Sequence, residues 1–161
     1  MFERCEKTLF EIRATLLGSE KVRKLLYNDS PFALSLQAPT MEQVGQYIVT
    51  NPIFDMVETP EYDHNTVINI ELDTLENNDT SVDGILRINV VCNAAVWTLD
   101  GSSIRPIQIA DEVVRLLHNK KFSVADKLIF AQIIPLIINK KMIGYTLMFD
   151  ISDGNGEIIN Y

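Results

Sequence analysis

The sequence predicts an α+β fold: a mainly antiparallel four-stranded sheet with helices packed on one face. Three observations carry that expectation. In residues 84–97, Leu86, Ile88, Val90, Cys92, Ala94 and Val96 fall on one side of a period-two pattern, with Arg87, Asn89, Val91 and Asn93 on the other. In residues 105–118 the period changes to that of a helix. Ile107, Ile109, Ala110, Val113, Val114, Leu116 and Leu117 share one half of the wheel; Gln108, Asp111, Glu112, Arg115, His118 and the following Asn119 take the other. Three more runs, 67–75, 127–138 and 142–151, have strand character. An amphipathic helix needs an apolar partner, and the face of the sheet before it supplies one.

Taken in order, the chain starts with a helical seam. Phe2, Cys5, Leu9, Ile12 and Leu16 recur at steps of three and four, Gly18 is placed to end that helix, and Ser19 can cap a second carrying Val22, Leu25 and Leu26. Asn28-Asp29-Ser30-Pro31 stops it. Residues 32–39, where Phe32, Leu34 and Leu36 alternate, read as either a short edge strand or an extended loop with three anchored side chains. Thr40-Met41-Glu42-Gln43 fits a capping box, and a helix through Val44, Tyr47 and Ile48 follows, ended by Asn51-Pro52. Residues 53–65 read as a loop. In 67–75, Ile68, Ile70 and Leu72 oppose Asn69, Glu71 and Asp73, and the polar stretch 76–83 reads as a longish hairpin loop. Asp100-Gly101-Ser102-Ser103 is a turn signal leading to Arg105-Pro106 at the helix start. The last two strands join through Asn139-Lys140-Lys141, with Pro135 marking a bulge or strand end. The expected organisation is one domain over 1–161: a helical and loop-rich part at 1–64, the sheet with its central helix at 65–151, and a flexible tail at 152–161.

Composition narrows the function classes. With 161 residues, 47% hydrophobic and 22% charged, the chain suits one globular domain. The longest apolar-rich run, 128–138, is broken by Gln132 and Pro135, which argues against a membrane span. The charged start Phe2-Glu3-Arg4-Cys5-Glu6-Lys7 does not resemble a signal peptide. A net charge of −8 argues against a nucleic-acid binder that neutralises phosphates with basic clusters. Cys5 and Cys92 sit on apolar faces and read as buried free thiols in a reducing compartment.

Catalytic and metal signatures are weak. His64 and His118 lack metal spacing and read as solvent-facing; Asp153-Gly154-Asn155-Gly156-Glu157 falls short of a calcium loop. No phosphate-cradling glycine loop and no Gly-x-Ser-x-Gly elbow occurs. Glu71, Asp73, Glu76, Asp79 and Asp83 cluster in the first hairpin, more as a solvated face than as a paired-carboxylate site. Trp97, Phe122, Tyr145 and Phe149 are the expected core or subunit-contact anchors. The helices and the Ile/Leu-rich last hairpin offer more apolar surface than one small sheet can cover, and oligomerisation is the natural outlet.

Several stretches resemble one family. Ile88-Asn89-Val90-Val91-Cys92-Asn93 leads to Trp97-Thr98-Leu99-Asp100, then to Ile104-Arg105-Pro106-Ile107-Gln108-Ile109-Ala110-Asp111-Glu112-Val113, Leu116-Leu117-His118-Asn119 and Lys121-Phe122. With Gly144-Tyr145-Thr146-Leu147-Met148-Phe149-Asp150-Ile151, and Leu25-Leu26-Tyr27 earlier, this is similar to the neck and tail-terminator proteins of tailed bacteriophages. The likeness is best over 68–153 and departs over 30–65. It implies a tail-terminator-like fold and a structural virion protein, not an enzyme, without cofactor or metal. It further implies a hexameric ring at the head–tail junction, in contact with the tail tube protein and the head completion or connector proteins, and assembled in the host cytoplasm. DNA would pass through the lumen without specific binding, and Glu71, Asp73, Glu76, Asp79 and Asp83 are candidates for a phosphate-repelling lining. A head-side connector of another ring size, a small α+β enzyme and a cellular interaction module are the alternatives.

Overall fold

The computed structural model describes residues 2–50, 64–78, 81–123 and 127–152. Asp79, most of the expected loop at 53–65 and the tail from 153 on lie outside the described residues. Helix α1 (Phe2–Gly18) buries Cys5, Ile12 and Leu16 on the expected seam. Helix α2 (Glu20–Tyr27) begins at Ser19, whose hydroxyl accepts from the Val22 amide at 3.3 Å, and it buries Val22, Leu25 and Leu26.

The next segment departs from expectation twice. Between α2 and Thr40 the chain makes a single 3-10 turn (Ala33–Ser35), with Ala33 buried and Phe32, Leu34 and Leu36 exposed. The alternating residues are therefore neither a strand nor anchors; only the small Ala33 fits beneath the turn. The capping box is formed, with Thr40 N donating to Gln43 Oε1 at 2.9 Å and Gln43 N to Thr40 Oγ1 at 3.3 Å. The helix it starts, α3 (Met41–Val44), is one turn long and passes through a second 3-10 turn (Gly45–Tyr47) into strand β1 (Ile48–Val49). Two β-branched residues favour the extended state, and pairing with Ile68 and Asn69 satisfies their backbone, so the expected helix gives way to sheet. Arg13 secures the junction by donating to the carbonyls of Gly45 and Ile48.

The sheet has five strands, β1, β2 (Thr66–Asn78), β3 (Ser81–Asn93), β4 (Lys127–Ile137) and β5 (Met142–Ser152), in the order β1-β2-β3-β5-β4. β1 runs parallel to β2 and every other pairing is antiparallel, so the sheet is mixed and one strand larger than expected. The polar stretch 76–83 is mostly strand, paired down to Asn78 with Ser81. Ladder bonds use only the backbone, so polar side chains do not prevent pairing there. β3 stops at Asn93, not near Trp97. Its side-chain oxygen accepts from Ala95 N at 3.0 Å and starts a 3-10 turn (Ala94–Val96). The β4 irregularity falls between Phe130 and Gln132, not at Pro135, which sits on an edge strand where a missing donor is tolerated.

Helix α4 (Arg105–Leu117) lies across the sheet with α1 and α2 on the same side. Ile12, Leu16, Leu25, Leu26, Ile109, Val113 and Leu117 from the helices meet Ile68, Ile70, Leu86, Ile88, Val90, Leu147 and Phe149 in one core cluster. Gly144 is required where it stands, because a Cβ there would collide with the Val90 carbonyl of the neighbouring strand.

Candidate assembly surfaces

Two charged residues on α4 tie it to α2 and to the turn that follows β3. Arg105 is fully buried. Its Nε donates to Val96 O at 2.8 Å, Nη1 to Leu25 O at 2.7 Å and Asn28 O at 2.6 Å, and Nη2 to Ser30 O at 2.9 Å. The guanidinium thereby takes up carbonyls at the end of α2, where a helix runs out of its own donors. Burial pushes its pKa down from the usual arginine range. Glu112, expected on the polar side of the wheel, is buried. Arg115 grips it with two bonds of 2.8 and 2.6 Å, and Ser19 Oγ donates to it at 2.8 Å. The Arg115 bonds, opposed by burial and joined by the Ser19 bond, hold its carboxyl at about 2. Arg105, Ile109, Glu112 and Val113 stand at i, i+4, i+7 and i+8, a helical repeat that places the two charges on the buried stripe.

The sheet face opposite the helices is also not what alternation suggested. Asn69 and Asn89 are buried rather than solvated. Thr146 Oγ1 donates to Asn89 Oδ1 at 2.6 Å, and Asn89 Nδ2 donates to Asn69 Oδ1 at 2.9 Å and to Glu71 Oε1 at 3.1 Å. This ladder crosses β5, β3 and β2 at one level. Side chains that satisfy each other in this way remove most of the penalty of burying amides.

Further along that face the carboxylates gather. Asp73 pairs with Arg87 at 2.9 Å, and Glu71 stands directly across from Arg87 in the register. Glu76 stands across from Asp83, both exposed, so two like charges oppose each other on neighbouring strands. With Thr74, Gly84, Ile85, Asp150 and Ile151 they line an open hollow of about 390 Å³. Of the five expected hairpin carboxylates, Glu76 and Asp83 thus share one end of the sheet, with Asp73 next along and Glu71 near the middle of β2. Among the described residues, no group of three or more His, Cys, Asp or Glu is arranged to hold a metal ion.

The opposite end of the sheet is apolar. On the helix side of the β4–β5 hairpin, Ile133 pairs with Leu147, Pro135 with Tyr145 and Ile137 with Ile143; on the other side Ile134 pairs with Thr146 and Leu136 with Gly144. On β5, Gly144, Thr146, Leu147 and Phe149 are all buried, whereas on the edge strand β4 only Leu128 is. Ile133 and Ile134 are each 41% exposed and Ile137 77%, so the far half of β4 carries exposed apolar side chains on both faces. The hairpin ends in the exposed residues Asn139, Lys140 and Lys141.

The four expected anchors separate in this arrangement. Phe149 is pure core and meets Phe130 edge-on at 5.6 Å. Phe122 packs half-buried against the core, next to Ser123, whose hydroxyl donates to Glu11 at 2.6 Å. Trp97 and Tyr145 lie 6.2 Å apart, both half-buried, with Tyr145 across from Pro135 near the turn end of the hairpin. His118 is exposed as expected and accepts from Phe130 N at 3.1 Å, whereas His64 is half-buried and stacks on Tyr47 at 4.0 Å. Both thiols are free and buried as expected.

These features define an α+β protein with a mixed five-stranded sheet, helices across one face, a carboxylate-rich end and an exposed apolar stretch of edge strand toward the other. The chain belongs to the YomW family, whose model matches residues 19–151. A search of the curated proteins finds no match.

Proposed function

We propose that this protein is a structural component of a phage virion, with a tail-terminator-like role. It assembles as a hexameric ring at the head–tail junction, ends growth of the tail tube and joins the tube to the head connector, with DNA passing through the lumen. The observation that carries this reading is the far half of the β4–β5 hairpin, where Ile133, Ile134 and Ile137 stand exposed on both faces of an edge strand. A lone soluble protein protects such an edge; among the described residues Pro135 and the irregularity between Phe130 and Gln132 interrupt this one, yet the three isoleucines stay exposed.

Two further points support the reading. The stretches that resemble neck and tail-terminator proteins form one continuous unit of β3, the 94–104 turn, α4 and β5. The YomW name is that of a Bacillus phage-derived protein, which favours a phage-associated origin. A net charge of −8 per copy would let DNA slide past without sticking. Arg87 offsets part of the Glu71 and Asp73 charge, so this repulsion rests on the whole ring rather than on that face alone.

Native mass spectrometry with negative-stain imaging of the purified protein tests the proposal. Six copies around an open centre are expected. Twelve copies would point to a head-side adaptor instead, and a monomer both in solution and in particles would overturn the assignment.

A further inference from the structure

We infer that the exposed far half of the edge strand β4 and the turn after it seat on a second copy of this chain, with the Lys140-Lys141 tip against the Glu76, Asp83 and Asp150 hollow of that copy. The inference rests on the ring reading above and names the contact that would build the ring.

The apolar part of the argument is geometric. A strand pair with apolar residues on one face is completed by one layer; this hairpin has Ile133, Pro135 and Ile137 on one face and Ile134 and Leu136 on the other. The inner strand is covered, since Leu147 across from Ile133 is buried in the core cluster, and it is the edge strand β4 that stays open, with Ile133, Ile134 and Ile137 exposed. An apolar edge strand open on both faces is buried by packing against a neighbour.

Charge selects the neighbour. The chain is acidic overall, yet the hairpin tip presents two adjacent lysines, both exposed. The carboxylates that line the hollow lie at the other end of the same strands, because Asn93 pairs with Met142 beside the tip whereas Asp83 pairs with Ser152. At about 3.3 Å per residue the ends are roughly 33 Å apart, too far for the tip to reach the hollow of its own chain. The hollow offers an apolar floor, Ile85, Ile151 and Gly84, beneath its three carboxylates, and so matches a tip that is basic at the end and apolar along the shaft. Contacts between opposite ends are heterologous, and a closing rotation turns them into a ring. This assigns the hollow to the contact between copies and not to the channel lining.

The test is charge reversal on the full chain, read by sedimentation and native mass at low and high salt. Lys140→Glu with Lys141→Glu should raise the concentration needed for half-assembly at least about tenfold, and Asp83→Lys with Asp150→Lys should do the same. An equimolar mixture of the two double variants contains matched surfaces and should recover mixed oligomers. Ile137→Ser should weaken assembly with little dependence on salt. Unchanged circular dichroism and melting temperature show that each variant is folded. Normal rings from the lysine double variant would overturn the inference and leave the ring reading standing, the outcome expected if the carboxylates line the channel. Failure of the mixture to recover would overturn the choice of the hollow as receiver. A wild-type chain that never associates would remove both readings.

Discussion

Replacing Arg105 with methionine should destabilise the protein by about 4 kcal/mol. Methionine fills the volume of the arginine stem but supplies none of its four hydrogen bonds, which reach Leu25, Asn28, Ser30 and Val96 at 2.6–2.9 Å. A buried acceptor stranded in this way costs about 1–3 kcal/mol. Four such acceptors would cost up to roughly 12 kcal/mol if none relaxed. Two effects reduce that figure: the variant no longer desolvates a cation, and carbonyls at the partly exposed Asn28 and Ser30 can turn toward water. The lower bound of about 1 kcal/mol each gives the expected 4, a large share of the 5–15 kcal/mol typical of a whole domain. The melting temperature should fall by roughly 8–16 °C at about 2–4 °C per kcal/mol. Urea unfolding of wild type, Arg105→Met and Arg105→Lys measures the effect. Lysine should recover only part of the loss, because its compact ammonium cannot span three segments as a planar fork does. A methionine variant within about 1 kcal/mol of wild type would refute the idea that this guanidinium holds the helix layer together.

Three other substitutions probe the same architecture. Glu112 titrates at about 2 in the fold against 4.5 when unperturbed. A depressed carboxyl stabilises above its unfolded value, and that contribution is lost as pH falls from about 4.5 through 2. The full linkage would be roughly 3 kcal/mol, reduced toward about 2 because Arg115 is well exposed to solvent. Unfolding free energies at pH 6 and pH 2.5 should therefore converge between wild type and Glu112→Gln, and parallel curves would contradict the assignment. Gly144→Ala, which drives a methyl into the Val90 carbonyl, should cost about 3 kcal/mol and shift amide exchange along β3 and β5 first. Asn89→Ala removes the acceptor of the Thr146 hydroxyl and one bond to Asn69, with an expected loss of about 2 kcal/mol by chemical denaturation.

Much of the fold is visible in the residues themselves because local patterns and tertiary demands coincide. The 3.6-residue period of α4, the Ser19 cap, the Thr40 capping box and the alternation in β3 and β5 all mark elements whose exposed and buried sides obey simple periodicity. Failures occur where a distant partner outweighs local preference. β1 exists because β2 lies beside it, and nothing within Ile48-Val49 announces that neighbour. Phe32, Leu34 and Leu36 alternate like a strand but are exposed around a 3-10 turn. Asn69 and Asn89 look like a wet face until the register brings Thr146 and Glu71 to them. Arg105 is the largest omission among the residues that matter. Its four acceptors come from three segments, yet its place on the Ile109 and Val113 stripe was a signal that it turns inward. For the assembly surfaces, the surplus of apolar residues in the last hairpin is apparent from composition; which of its strands is left open depends on the strand order.

The strand order carries a consequence for how the molecule is made. β5 lies between β3 and β4, so the inner edge of β3 has no partner until residues 142–152 exist, some fifty positions after β3 itself. A partly synthesised chain therefore displays a long, apolar, unsatisfied edge of the kind that sticks to other chains. Sheet closure must wait for that late strand to slide between two others, and crowding of nascent copies before it arrives favours clumps over finished molecules.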